Sequence, residues 1–401
     1  MALSTVPKPE IDARLERART RLRNADVEAA LLIQRADVVY LTGTAQNALL
    51  SLPSDADGEP LLLVTKSKSR AREESPIARQ EPLNSMRDLV PALKAAGHGH
   101  WRRIGLELDV LPWRDVQRLE EQFPGVEFVD VSMPLRELRS VKSEYEIRQM
   151  EGAAEILREV FERVPGILRK SEREIDAAAA IEGEMRRLRH QGLVRIRRWN
   201  MELSGATVAA GPSASHPQAF DGADGTEGLY TAVPQSGGER LLRPGEPIMI
   251  DLVAGFGGYL VDKTRIFVVG RLKDDELREA HRFTLRLQDE IQERLRPGTV
   301  CGSIYGHVLE RVSTTPWKSG FMGWGENQVA FIGHGVGLEL DELPILSARS
   351  STTLREGMTV AVEPKIFFGD KGGVGIENTW VVTPEGCRNL TGDSSDEIVE
   401  V

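Results

Sequence analysis

Along the first third of the chain, apolar positions switch repeatedly between the period of a helix and that of a strand. Residues 11–26 place Leu15, Ala18 and Leu22 at helical spacing, while VEAALLI (27–33) and EPLLLVTK (59–66) are apolar runs of strand length. A helix is predicted over 85–97, broken near Pro91, then a strand over 102–108 and a further helix near 114–122. This alternation predicts an α/β domain over 9–132. The pattern changes around 131–143, and 133–142 is expected as a linker. Ser143 with Glu146 forms a capping box that opens a helix, and Ser171 with Glu174 is expected to open the next, ending near Gly192.

Over 143–401 long helices alternate with antiparallel strands, which predicts an α+β domain. A helix over 274–296 stops at Pro297-Gly298. Residues 248–269 read as a β-hairpin, two apolar, β-branched arms around Gly255-Phe256-Gly257-Gly258. A turn centred on Phe256 and Gly257 would set Asp251 directly opposite Asp262. Residues 358–368 and 372–382 are further strands, carrying Glu363 and Glu377, and His334 lies between glycines 333 and 335.

These strands carry acids where an unpaired charge is expensive. Two ionised carboxylates set face to face repel, so one takes up a proton or a cation sits between them. Asp251, Asp262, Glu363 and Glu377 with neutral His334 would balance two divalent cations. Mostly oxygen donors with one nitrogen suit Mn²⁺, Co²⁺ or Fe²⁺, and Zn²⁺ is also compatible.

The order Asp, Asp, His, Glu, Glu resembles that of the pita-bread metallopeptidases: methionine aminopeptidase, Xaa-Pro aminopeptidase and prolidase. GYLVDKTRIF, GHGVGLE, VEP and GIEN are similar to that family's motifs, and VAAGPSASHP (208–217) resembles its substrate-side histidine segment. DVVYLTG, IGLELDVLP and the stretch 135–156 resemble the creatinase/prolidase type of two-domain member, so the likeness spans nearly the whole chain. It implies a pita-bread catalytic domain behind a creatinase/prolidase-type N-terminal domain, and a homodimer. It further implies hydrolysis of an N-terminal peptide bond, of Xaa-Pro type, by a metal-bridging hydroxide. Asp262 and Glu377 would bridge the ions, Asp251 complete one, and His334 with Glu363 the other. Glu363 would be the general base, and His216 would hydrogen-bond the substrate carbonyl.

The chain departs from the resembled pattern at two places. Asp341 stands where a second histidine is usual, and Gly375 where many Xaa-Pro members carry arginine. Both changes remove groups that would pair with an anionic substrate, so substrates with a free carboxylate nearby are expected to bind poorly, unless Lys365 or one of Arg195 to Arg198 substitutes. The same departures leave open a lyase or amide hydrolase acting on a small zwitterion. A non-catalytic binding protein fits less well, because all five ligand-type residues are present.

A net charge of −10 argues against a nucleic-acid partner. The basic run 186–198 is read as a solvated helix end and loop. Two distant cysteines, Cys301 and Cys387, imply neither a disulfide framework nor a thiolate site. The charged start and the lack of a long apolar run predict a cytoplasmic protein without a membrane span. His98 and His100 are expected on a surface loop, and His190, His281 and His307 at helix surfaces or core edges.

Overall fold

The computed structural model describes residues 5–392 and 395–401. The chain forms two compact units, residues 1–139 and 140–401.

In the first unit six strands form one sheet: β1 (Ala29–Leu32), β2 (Ala48–Pro53), β3 (Leu61–Val64), β4 (Arg79–Pro82), β5 (Arg103–Leu106) and β6 (Glu127–Asp130). Their order is β4-β3-β2-β1-β5-β6, with β1 and β3 antiparallel to β2 and the other pairs parallel. The helices are α1 (Lys8–Asn24), α2 (Arg35–Thr42), α3 (Lys68–Glu74), α4 (Leu89–Ala95), α5 (Trp113–Gln122) and α6 (Ser132–Arg139). Pro91 does not break a helix, because α4 starts at Leu89 and the proline sits in its first turn, where no hydrogen bond is lost. Most of the stretch expected as a linker is α6. Leu135 and Leu138 are buried there, and the Arg139 guanidinium pairs with buried Asp37 at 2.8 Å. His98 is not on the surface: it is 9% exposed and its Nδ1 lies 3.0 Å from Ser51 Oγ.

The second unit opens with α7 (Glu144–Leu168), capped by Ser143 and Glu146 as expected. The next helix, α8 (Glu174–Arg187), is capped by Arg173 and Asp176 rather than by Ser171, whose hydroxyl instead donates to the Ile167 carbonyl at the end of α7. Strands β7 (Ala206–Ala210), β8 (Pro247–Phe256) and β9 (Tyr259–Val268) follow, then α9 (Asp275–Gln292) and α10 (Cys301–Ser313). The chain then lays down β10 (Phe331–Gly335), β11 (Glu342–Ser347), β12 (Thr359–Val362), β13 (Lys365–Phe368), β14 (Gly372–Gly375), β15 (Asn378–Thr383), β16 (Gly386–Asn389) and β17 (Val399–Glu400). They build a four-stranded sheet, β17-β9-β8-β7, a five-stranded one, β11-β10-β12-β15-β16, and the pair β13-β14. The core lies between these sheets and α9 and α10, with Met249, Ile266, Leu287, Ile304, Val308, Val360 and Val362 buried in it.

The β8–β9 hairpin turns one residue later than expected, at Gly257-Gly258, with φ of 59° and 95°. Both central residues of this two-residue turn are at positive φ, which two glycines adopt freely and Phe256 does not. Phe256 instead lies against α7, so close to Gly152 that a Cβ there would be 2.6 Å from its ring. Asp251 consequently pairs with Thr264, and Asp262 with Val253. The two acids are diagonal neighbours instead of direct partners. Moving the turn by one residue shifts the pairing by two, so both acids still project from one face.

His190 and His281 are buried, not peripheral, at 6% and 1% exposure. His190 Nδ1 accepts the Gly255 N–H at 2.9 Å, tying the hairpin tip to the end of α8, and burial pushes its pKa down to about 4. A histidine kept neutral below its ordinary 6.5 stabilises the fold fully above that pH, and the contribution is lost as pH falls toward 4. The loss is on the order of 3 kcal/mol. Chemical denaturation from pH 7 to 4 should therefore show His190→Gln with a shallower acid slope than the wild type. Parallel slopes would mean that His190 is not the group that titrates.

Candidate metal centre

Two hairpins bring the acids together. One is β8–β9, with Asp251 and Asp262. The other runs β12-β13 against β14-β15: Val362 pairs with Asn378 on one side of a two-residue interruption, and Lys365 with Gly375 on the other. The register is the same on both sides, so Glu363 and Glu377 occupy facing positions within the interruption. There the strands leave one sheet for the other, because Pro364 has no N–H to continue the ladder. Freed from regular pairing, the two glutamates lie between the sheets, 4% and 1% exposed. Buried Arg265 locks the hairpins together, donating to the carbonyls of Thr264 and Glu377 at 2.8 and 2.9 Å and to Asn378 Oδ1 at 2.9 Å. The Asp262 N–H donates to Thr379 Oγ1 at 2.9 Å.

His334 comes from β10. Its Nδ1 lies 3.1 Å from the carbonyls of both Gly335 and Leu340, so the proton sits there and Nε2 is left as a lone-pair donor. Donor atoms of Asp262, His334 and Glu377 all fall within 4.8 Å of one another. Asp262 Oδ1 and Glu377 Oε1 are buried with no hydrogen-bond partner. Buried, unpartnered carboxylate oxygens facing an open imidazole nitrogen fit a divalent cation.

Lys365 lies at the centre of the acids. Fully buried, its ammonium is 2.9 Å from Asp251 Oδ2, 2.9 Å from Glu377 Oε2 and 3.1 Å from Glu363 Oε2, with Asp224 Oδ1 at 3.5 Å. Thr264 Oγ1 also donates to Glu377 Oε2, at 2.9 Å. Burial raises the carboxyl pKa of Asp262, Glu363 and Glu377, and neighbouring acids raise them further. Asp251 experiences the same burial, but the Lys365 ammonium outweighs it and holds its pKa down. Burial would lower His334, yet Asp341, Glu363 and Glu377 together raise it.

A small cavity of about 40 Å³ opens onto this cluster. Asp341 lines it, its carboxylate 3.7 Å from His334 Nδ1. His216 does not reach it. That ring is exposed, lies near the Pro217 carbonyl at 3.3 Å and faces a neighbouring cavity. The chain after it folds back, with the Gly225 N–H donating to the Ala214 carbonyl, and this presents Gln218, Asp221 and Asp224 to the acids instead. Sequence reasoning missed Asp224 and the central position of Lys365. The signal for the lysine was its place two residues after Glu363, on the same side of a strand.

A buried carboxylate–imidazole cluster with open donor atoms, on two hairpins and β10 of a mixed sheet-and-helix unit, has the make-up of a divalent-metal centre. The profile of metallopeptidase family M24 matches residues 148–384, and that of the creatinase/prolidase N-terminal domain matches residues 14–141. The chain therefore belongs to metallopeptidase family M24, whose members take divalent metal ions. Its fold is a creatinase-type N-terminal domain joined to a pita-bread domain. The Xaa-Pro dipeptidase of Pyrococcus horikoshii is 27% identical over 366 residues, covering 91% of this chain and 93% of its own. The prolidase structure from that organism superposes with a TM-score of 0.78 at 23% identity, over 95% of this chain and 99% of its own. Dipeptidase PepE from Mycobacterium ulcerans gives 0.80 at 22%, over 99% and 100%. Among the described residues no helix is long and apolar enough to cross a membrane.

Saturating Mn²⁺ or Co²⁺ should raise the thermal midpoint of the chelator-treated protein, by about 2.7 kcal/mol of stability at a hundredfold excess over Kd. In His334→Ala the gain should shrink severalfold. An equal gain in both proteins would place the ion elsewhere.

Proposed function

We propose that this chain is a metal-dependent exopeptidase that releases the N-terminal residue at Xaa-Pro bonds, and that it prefers substrates without a free carboxylate beside the scissile bond. The observation that carries the reading is the set of open donor atoms on Asp262, His334 and Glu377 at the floor of the cavity. The Xaa-Pro activity named for the Pyrococcus relative supports the bond specificity.

Asp251, Asp262 and Glu377 would hold one ion, and Asp262, His334, Glu363 and Glu377 the other. Divalent ions in such a site supply an acidified water and Lewis-acid polarisation of the carbonyl. Glu363 is the proton carrier in this scheme. Its Oε2 is engaged by Lys365, while Oε1 faces the His334 side, 3.9 Å from Nε2, and can receive the proton from the attacking water. Asp224 and Asp341 on the cavity wall favour the α-ammonium of a peptide. The place expected for His216 on the substrate carbonyl is not carried into this scheme, since its ring lies outside the cavity.

The substrate preference follows from the cavity's charge. Beyond the four acids given to the ions, Asp221, Asp224 and Asp341 line it, and no lysine or arginine does so among the described residues. Arg198, one of the alternatives for carboxylate binding, pairs with Asp221 at the exposed rim. A dipeptide's carboxylate thus meets like charge and no partner, a juxtaposition that costs several kcal/mol where it is direct. Amidated Xaa-Pro substrates should exceed the free dipeptides in kcat/KM by at least about tenfold, equivalent to about 1.4 kcal/mol. Asp341→Asn should narrow the gap by raising turnover of the free form. Faster turnover of the free dipeptide by the wild type would sink the preference, and failure to cleave either would sink the peptidase reading.

A further inference from the structure

The acids around the centre divide into two groups by what already satisfies them. On the His334 side, Asp262 Oδ1 and Glu377 Oε1 are buried without a partner and His334 Nε2 is open. On the Asp251 side, the oxygens are taken. Asp251 Oδ2, Glu377 Oε2 and Glu363 Oε2 each accept from the Lys365 ammonium within 3.1 Å. A lysine ammonium has three protons to donate, and here the three nearest carboxylates receive them, with Asp224 Oδ1 farther off at 3.5 Å.

The surrounding chain is shaped for this lysine. Lys365 pairs directly with Gly375 across β13 and β14. A Cβ on residue 375 would lie 2.6 Å from Lys365 Cα, 2.7 Å from the Pro364 carbonyl oxygen and 2.8 Å from Lys365 Cγ, so any side chain there would collide with the backbone and with the lysine stem. Being fully buried, the ammonium has no water to retreat to.

We infer that Lys365 is a built-in cation on the Asp251 side of the centre, which makes the two ion positions available to these carboxylates unequal. The first ion enters open donor atoms at Asp262, His334 and Glu377. A second ion between Asp251 and Glu377 binds only by displacing the ammonium from both, and binds more weakly in consequence. Lys365 thereby keeps the acids on its side neutralised while that position holds no metal, and sets the free-metal concentration at which a second ion joins.

This inference rests on the M24 metal reading, and one titration separates the two. Mn²⁺ is titrated calorimetrically into chelator-treated full-length wild type and Lys365→Ala, with manganese electron paramagnetic resonance recorded at one and two equivalents. The wild type should bind one ion per chain, with a second at least about thirtyfold weaker and a spectrum of isolated manganese at one equivalent. Lys365→Ala should bind two ions with affinities within a few-fold of each other and show an exchange-coupled pair at two equivalents. Two equally tight ions in the wild type, with a coupled spectrum, would overturn the inference while leaving the metal reading intact. No binding by the wild type would overturn both. If Lys365→Ala does not fold, Lys365→Met, which keeps the buried stem and removes the charge, takes its place in the same titration, and a second ion still as weak in that variant would overturn the inference.

Discussion

Four carboxylates buried in one cavity are the constraint around which the catalytic unit is built. Removing an unpaired carboxylate from water costs several kcal/mol, and mutual repulsion adds to that cost. Two rigid hairpins are therefore needed to hold the acids against their own repulsion. The β8–β9 pairing fixes Asp251 and Asp262, and the interrupted hairpin fixes Glu363 and Glu377. Arg265 ties one hairpin to the other through backbone carbonyls, its own charge buried in the process. Positive charge must then enter the cluster, and it can arrive as metal or as the ammonium of Lys365.

How much of this was legible in the sequence depends on which physical signal each feature leaves. Strand parity is a local property, so the shared face of Asp251 and Asp262 could be read from alternation alone. Their register could not, because it depends on which residues tolerate positive φ. The pattern G-F-G-G allowed two turn centres, and only the Gly257-Gly258 choice spares Phe256 a strained conformation and seats it over Gly152. The facing of Glu363 and Glu377 left less trace still, since it comes from a ladder that keeps its register through Pro364.

Residues whose placement is decided at long range were the least legible. Lys365 was named from the sequence only as a possible partner for a substrate carboxylate, yet it is fully buried with three acids from two hairpins around it. His98, His190 and His281 read as peripheral for the same reason, although each is buried with a polar partner. In the loop after β7, His216 carried the motif, but the fold-back at Gly225 gives the cavity wall to Asp224. Glycine and acid clustering in that loop was visible. Which side chain would face inward was not.

The departure at Gly375 and the cation at Lys365 lie side by side on paired strands. Residues 365 and 375 are a cross-strand pair, and a Cβ at 375 would meet the Lys365 Cα and the Pro364 carbonyl oxygen before the lysine stem, so the strand geometry itself calls for glycine there. Where the family resemblance leads to an arginine at 375, this chain has glycine there and its cation at 365, on the neighbouring strand. That cation points into the carboxylate cluster and not toward the substrate. Two consequences follow. The cavity wall is left to Asp224 and Asp341 without a cation among its described lining residues, which disfavours an anionic substrate. The centre gains a permanent positive charge on the Asp251 side, which weakens that side's demand for metal. A chain that changed only residue 375 would show the first effect without the second, so the lysine is what couples substrate charge to metal occupancy.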